Sequence, residues 1–202
     1  MNTGIVEFTK EGEVVGDVFS RLVENRILFI SDILDDAIAS EIVAMMMLLD
    51  LQAEEQKITL YLNTTVATDI RNIFMIYDVM RLLRSPIETI CVGEVLNETV
   101  LLLAAGSPGM RYAMKNASIS ISSLSYGEPQ VSDMGRAEIF LKQVRKDNDK
   151  FIKALSKCTK KSVAKLLKDT ENTLYLNPNE AIKYGIIDGI IKNKKAFKSR
   201  KK

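Results

Sequence analysis

Residues 58–92, which read ITLYLNTTVATDIRNIFMIYDVMRLLRSPIETICV, decide the fold class of this chain. The stretch opens with Ile58–Leu62 and closes with Ile87–Val92, two short apolar runs typical of buried strands. Between them, residues 68–83 repeat apolar side chains at helical spacing. Those apolar positions are Ile70, Phe74, Ile76, Tyr77 and Met80. A strand, a helix and a second strand in this order predict a right-handed βαβ unit with parallel strands.

The same alternation continues on both sides of that unit. Residues 26–30 predict a further strand, and residues 35–53 predict the helix that follows it. On the other side, residues 97–105 predict a short buried helix, and Ile119 and Ile121 alternate with serines as in a strand with one buried face. We therefore predict an α/β fold of right-handed βαβ units in a single domain of 202 residues.

The second half of the chain contains a long amphipathic helix. Residues 130–157 are highly charged, but Phe140, Val144, Phe151 and Leu155 recur near one stripe. A small domain offers no partner for the whole length of such a stripe, so we interpret this helix as an oligomerisation element. The alternative is a helix packed in the core of its own chain.

Three short elements are predicted after that helix. Residues 160–168 predict a helix, and Pro178 begins another one that Gly185 ends. Residues 186–191 predict a last short strand.

The absence of histidine is the most informative feature of the composition. None of the 202 residues is histidine, which excludes Ser-His-Asp and Cys-His catalysis and zinc sites that need imidazole. The two cysteines are too few for a four-cysteine metal site. We predict that Cys91 is a buried small hydrophobic residue and that Cys158 is exposed. We also predict no metal and no cofactor.

Charge is unevenly distributed along the chain. Residues 192–202 hold seven of the 28 basic residues and no acidic one, so the remainder has 21 basic against 26 acidic residues, a net charge of −5. This balance argues against nucleic-acid binding and predicts a solvated basic tail. No apolar run reaches the roughly 18 residues of a membrane-spanning helix. The acidic first 20 residues are not typical of a secretory or transit peptide.

Seven short motifs, read in order, resemble those of the ClpP serine protease family. They are DVFSRL at 17–22, IYDVM at 76–80, ICVG at 90–93, LLAAG at 102–106, RYAMKN at 111–116, KDT at 168–170 and EAIKYGIID at 180–188. Each motif is weak alone, but their common order over about residues 15–191 is specific. The resemblance implies the crotonase-like fold of that family, with a protruding handle helix.

The resemblance also implies a Ser-His-Asp triad, from which this chain departs at all three positions. The nucleophile position falls on Asn97, the base position on Ser122 and the orienting position on Thr173. The oxyanion-hole positions fall on Ala67 and on Glu98, whose carboxylate would oppose a developing oxyanion. We therefore expect no catalytic residues and a chain that is not an enzyme. Asn97 instead fits a helix N-cap, with Glu98 in the first turn.

Two enzymatic alternatives stay open. A hidden serine–lysine site would pair Ser122 or Ser123 with Lys115. A crotonase-like enzyme that binds acyl-CoA would use Glu94 or Glu98 near the same strand end.

The resemblance implies the following division of residues 1–202, a single ClpP-like domain. It comprises an N-terminal axial segment (1–14), a head (15–127 and 158–191), a handle (128–157) and a basic tail (192–202). In the family, seven heads form a ring and two rings meet through their handles. The missing triad implies the non-catalytic ClpR type of subunit.

Partners and compartment also follow from the resemblance. We expect a homo- or hetero-oligomer with ClpP-type subunits that works with a Clp ATPase, without nucleic acid or membrane. In the family the ATPase docks in clefts lined by aromatic residues; Tyr61 occupies one such position and Thr59 replaces another. We expect an apicomplexan or plastid type in the plastid or apicoplast stroma, with the cytoplasm as the alternative.

Overall fold

A parallel β-sheet organises the chain in the computed structural model, which describes residues 4–9, 12–124 and 133–192. The strands are β1 (Gly4–Thr9), β2 (Gly12–Asp17), β3 (Ile27–Leu34), β4 (Ile58–Ala67), β5 (Ile87–Val95), β6 (Arg111–Met114), β7 (Ser118–Ile121), β8 (Leu174–Leu176) and β9 (Gly189–Ile191). The α-helices are α1 (Val18–Glu24), α2 (Asp36–Gln52), α3 (Ile70–Leu82), α4 (Val100–Ala104), α5 (Met134–Thr159), α6 (Val163–Thr170) and α7 (Pro178–Tyr184). The sequence-based prediction of an α/β fold is confirmed.

The large sheet has the order β3-β4-β5-β6-β9, and all of these neighbours run parallel. β7 pairs with the end of β5 in the parallel sense and with β8 in the antiparallel sense. β1 and β2 form a separate antiparallel pair. Helices α2 and α3 connect successive parallel strands, so the crossovers predicted from residues 26–92 are present.

Short-range signals explain where the helices begin and end. Asp35 caps α2 by accepting the N–H of Ile38 at 2.8 Å. At α7, Asn177 and Glu180 form a reciprocal capping box around Pro178. Gly185 then ends α7 with φ +95°, and a Cβ there would lie 2.7 Å from the carbonyl oxygen of Thr159.

The core lies between the sheet and the helices. Its largest fully buried side chains are Phe151, Leu28, Ile30, Leu34, Met46, Ile58, Leu60, Leu62, Ile73, Ile76, Ile87 and Ile90. They come from the predicted strands, from α2 and α3, and from the second half of α5, which therefore packs against the head.

The first half of α5 leaves the head. Phe151 and Leu155 are fully buried, whereas Met134, Ile139 and Leu141 expose 79%, 71% and 53% of their surface. The predicted long amphipathic helix is present, although it spans 134–159 rather than 130–157. As expected, its own chain does not cover it over its whole length. The intrachain alternative holds for its second half. Residues 128–132 of the predicted handle lie outside the described residues, as does the basic tail beyond Lys192.

Several predicted boundaries differ from the observed ones. The predicted helix 97–105 is a 3-10 turn, Asn97–Thr99, followed by α4, and the predicted strand 186–191 is only β9. Strands β1, β2, β6 and β8 were not predicted. β6 and β8 are only four and three residues long. Runs this short carry no clear apolar pattern, so these strands are identified only by their hydrogen bonds to strands distant in the sequence.

Candidate functional site

The carboxyl ends of three strands meet beside Asn97. Thr64 of β4 pairs with Val95 of β5, and Val95 also pairs with Ile119 of β7. The N–H of Leu96 donates to the carbonyl of Thr64 at 3.2 Å, which holds the chain against β4 just before the turn. Because the three strands are parallel, the residues that follow them gather at one edge of the sheet.

Two of the three positions assigned to the triad are in direct contact. The hydroxyl of Ser122 donates to Oδ1 of Asn97 at 3.0 Å. Ile121 of β7 pairs with Leu174 of antiparallel β8. Ser122 and Thr173 are therefore the next two facing positions, just beyond the paired ends of these strands. Thr173 is exposed. The structure thus brings the three positions into one neighbourhood, and what they do there stays a prediction.

The backbone of Asn97 adopts a left-handed conformation, with φ +56°. Asparagine tolerates this region better than most residues. Its N–H donates to the hydroxyl of Ser120 at 3.1 Å, and Nδ2 donates to the carbonyl of Thr65 at 3.3 Å. The predicted N-cap is therefore wrong, because the 3-10 turn has no side-chain cap and the amide of Asn97 bonds across to neighbouring strand ends instead.

Glu98 places a carboxyl group on the backbone at the end of β4. Its side chain is only 4% exposed, and Oε1 accepts the N–H of Ala67 at 3.0 Å. The other oxygen, Oε2, is buried and has no hydrogen-bond partner among the described residues. Burial raises the pKa of this carboxyl, although the bond from Ala67 acts in the opposite direction. The N–H of Ala67 is thus occupied by Glu98, whereas Glu98 keeps one carboxyl oxygen without a partner among the described residues.

Neither enzymatic alternative gains a contact from the structure. Lys115 is exposed, and in the described part of the chain it forms no hydrogen bond with Ser122 or Ser123. A lysine that acts as a base must be desolvated beside its serine. Glu94 is exposed, and Glu98 is held by the backbone of Ala67 rather than free to act on a substrate.

The cysteines are not activated nucleophiles. Cys91 is fully buried, which raises the pKa of its thiol to about 12. Cys158 is partly buried rather than exposed as predicted, and burial raises the pKa of its thiol as well. Among the side chains that the structure describes, no group of three or more metal-ligating residues is found. Nor does any helix within residues 4–9, 12–124 and 133–192 have the length and apolarity needed to cross a membrane.

The two positions that the sequence resemblance linked to ATPase docking, Tyr61 and Thr59, are buried within the chain. Tyr61 stacks on Phe29 with ring centroids 6.1 Å apart. The hydroxyl of Thr59 donates to Oε2 of Glu88 at 3.0 Å, and Nζ of Lys57 bonds to Oε1 at 2.8 Å. Thr59 thus completes a polar cluster where the family commonly has a second aromatic residue.

The family model for Clp protease matches residues 10–194. The chain belongs to the Clp protease family. A member from Deinococcus radiodurans, named ATP-dependent Clp protease proteolytic subunit, is 37% identical over 188 residues, which cover 93% of this chain and 90% of the relative.

Membership of the Clp protease family confirms the fold and corrects one functional prediction. The expectation that the chain is not an enzyme is wrong on this finding, because a relative this similar is named a proteolytic subunit and points to a peptidase. That expectation was based only on the three substituted triad positions. The similarity to the proteolytic subunit, in contrast, extends over 93% of the chain.

Sequence reasoning missed the contacts that join this edge of the sheet. It did not predict the bond between Ala67 and Glu98 or the bond from Asn97 to Ser120. The only signal was an acidic residue three positions after the end of an apolar strand.

Proposed function

We propose that this chain is a ring-forming subunit of an ATP-dependent Clp-type protease and serves peptide hydrolysis as a structural and regulatory part of that assembly. Family membership and the relative named a proteolytic subunit support the assignment to a Clp protease. The observation that carries the subunit role is the first half of α5, which extends beyond the head with apolar residues exposed.

The exposed part of α5 has the form of an association surface. Met134 and Leu141 are seven residues apart and so lie on one face, and Ala137 and Val144 repeat that spacing beside them. An apolar face of this kind is unstable in water unless another surface covers it. A second α5 from another subunit supplies a matching surface.

The site at the end of β5 supports a mixed assembly. Ser122 donates its proton to the amide oxygen of Asn97, a group that accepts a hydrogen bond but cannot take the proton. The chain has no histidine to take it instead. We therefore propose that it joins histidine-containing ClpP-type subunits in a mixed ring, so that peptide hydrolysis belongs to the whole assembly. The proposed compartment, plastid or apicoplast stroma with cytoplasm as the alternative, rests on the sequence resemblance alone.

A Clp ATPase is the second proposed partner. A shallow apolar cavity of about 190 Å³ opens beside α1, β3 and α2, lined in part by Phe19, Leu22, Phe29 and Ile42. Phe19 is exposed at this cavity. An apolar side chain of an ATPase loop fits this chemistry.

The relative's name favours a second candidate, peptide hydrolysis by this chain itself. Ser122 is then the nucleophile to test, because its hydroxyl lies beside Asn97 at the meeting point of the strand ends. Labelling with a fluorophosphonate probe, compared between the wild type and Ser122→Ala, tests this candidate. Labelling that disappears in the variant supports hydrolysis at Ser122, and equal labelling of both proteins contradicts it.

The subunit role is tested by native mass spectrometry combined with a peptidase assay. The chain alone, a catalytic ClpP subunit alone and their mixture are compared for mass and for turnover of a fluorogenic peptide. We expect oligomers that contain this chain, and turnover per catalytic subunit that changes when it is incorporated. A chain that remains monomeric in every mixture contradicts the proposal.

A matched pair of variants tests the surface on α5. Met134→Gln with Leu141→Gln removes the apolar face without changing charge. Glu138→Gln with Arg145→Gln alters exposed residues at the same spacing and also preserves net charge. We expect the first pair to lower the oligomeric fraction at least tenfold and the second to leave it unchanged. Equal behaviour of the two pairs would show that this face does not mediate assembly.

A further inference from the structure

A second cleft shares no lining residue with the turn at Asn97. It has a volume of about 540 Å³ and lies between α3, the end of α4, β6 and the end of α5. Its lining contains four basic side chains, Arg81, Arg111, Lys157 and Lys160, and two acidic ones, Asp78 and Asp188. A cleft of this size is in the range that holds small molecules.

Arg111 forms the polar floor of the cleft. Its guanidinium binds Asp188 through Nε at 2.9 Å and Nη2 at 2.6 Å. Nη1 donates to the carbonyls of Cys158 at 3.1 Å and Gly185 at 2.9 Å. The pair holds the pKa of Asp188 below its usual range, so this carboxylate is already neutralised and does not repel an anion. Arg111 thereby also satisfies a carbonyl at the end of α5, where the helix dipole places partial negative charge.

The other three basic residues are available to a ligand. Arg81 lies in α3, Lys157 in the last turn of α5 and Lys160 directly after α5; none of the three forms an ion pair within the described ranges of the chain. Tyr77 lines the same cleft, and its hydroxyl donates its proton to the sulfur of Cys158. Burial of the cysteine thiol raises its pKa, so Cys158 adds no negative charge.

We propose that this cleft binds a small molecule through a polyphosphate group. A ligand with a single carboxylate carries one negative charge, which is too little to balance three unpaired cationic side chains. A di- or triphosphate carries enough negative charge and enough acceptor oxygens to contact all three. The planar guanidinium of Arg81 suits bidentate contact with phosphate, and the two lysines act as point charges around it. The volume leaves room for a group attached to the phosphates.

Titration calorimetry of the full-length protein with sodium tripolyphosphate tests this site. We expect saturable binding that Arg81→Gln, Lys157→Gln and Lys160→Gln each weaken about tenfold, as loss of one charge-assisted contact does. The triple variant should not bind measurably. Asp78, which forms no ion pair in the described chain, also faces the cleft, so Asp78→Asn should tighten binding a few-fold.

A triple variant of Lys142, Arg145 and Lys146 to Gln is the matched control. These three residues are exposed on α5 and lie outside the cleft. Their substitution removes three positive charges, as the triple substitution in the cleft does. If the control loses as much affinity as the cleft variant, binding is only general attraction to a basic surface and the proposal is wrong. Absence of binding to the wild type, or unchanged binding to the cleft variant, also overturns it. Comparison of pyrophosphate with ADP distinguishes a bare phosphate chain from a nucleotide.

Cys158 provides an independent readout within the cleft. The only other cysteine, Cys91, is fully buried, so a neutral maleimide reports on Cys158. We expect saturating tripolyphosphate to slow this labelling at least threefold in the wild type and in the control variant, but not in the cleft variant. Equal labelling with and without tripolyphosphate in the wild type contradicts occupation of the cleft.

Discussion

Replacement of Glu98 by glutamine tests the reasoning about the site most directly. The substitution keeps the side chain's shape and leaves an oxygen to accept the N–H of Ala67, but it removes the charge. We expect Glu98→Gln to be more stable than the wild type at pH 8. The reason is that the wild-type carboxylate is 4% exposed and one of its oxygens has no partner in the described part of the chain.

The size of the effect follows from that unsatisfied oxygen. An unpaired buried polar group costs about 1–3 kcal/mol, and more when it is charged. Glutamine still buries an unpaired polar atom, so only the part due to charge is recovered. We expect a gain of about 2 kcal/mol at pH 8, which corresponds to about 4–8 °C in Tm for a domain of this size.

The gain should depend on pH with a definite sign. Burial raises the pKa of Glu98, so between its unfolded and folded values the folded chain holds a proton that the unfolded chain has lost. The wild type therefore loses stability from this group as pH rises above the ordinary carboxyl range, and the loss levels off once the folded carboxyl has ionised. The difference between the two proteins should shrink towards pH 4.5.

Urea unfolding at several pH values between 4.5 and 8 measures this difference. Glu94→Gln is the matched control, because Glu94 lies four residues earlier and is exposed. We expect the control to change stability by less than about 0.5 kcal/mol at every pH. A Glu98→Gln difference that is constant with pH, or that favours the wild type at pH 8, would refute the conclusion that this carboxyl carries an uncompensated charge.

Three further predictions concern backbone strain, a half-buried ion pair and thiol access. In urea unfolding, the free energy of unfolding of Asn97→Ala should be about 1–2 kcal/mol lower than that of Asn97→Gly, because alanine is strained at φ +56° and glycine is not. Equal stability of the two variants would contradict the left-handed backbone. Arg111→Ala should lower the free energy of unfolding by about 3–5 kcal/mol, because it leaves Asp188 without its ion-pair partner and the carbonyls of Ala104, Cys158 and Gly185 without their donor. A loss below about 1 kcal/mol would show that the ion pair does not stabilise the fold. At pH 8 in the native protein, mass spectrometry should find maleimide on Cys158 and none on Cys91, whose pKa is about 12; modification of Cys91 as fast as in urea would contradict its burial.

Much of the fold could be predicted because local sequence and tertiary structure agree. The helix expected over residues 35–53 is α2, with Asp35 as its cap, and the helix expected over residues 68–83 is α3. Capping residues and apolar spacing act over a few residues, so they are legible without knowledge of the fold. Pro178 and Gly185 located α7 for the same reason.

The candidate site was predictable only in part. Motif order along the chain led to Asn97 and Ser122, which the structure places in hydrogen-bond contact. The burial of Glu98 against Ala67 was not predictable, because the two residues are 31 positions apart and meet only when β4 and β5 pair. The register of a sheet, not the pattern of either strand, decides such contacts.

The sequence alone determined that this chain is an α/β protein of alternating strands and helices, that it contains no imidazole, and that its long helix is amphipathic. These properties depend on residue type and on spacing within one segment. The tertiary structure alone decided which half of α5 is covered, which carboxyl loses its water, and which basic residues share a cleft. Each of these depends on the approach of segments far apart in the chain, because burial and unpaired charge are created only when those segments pack.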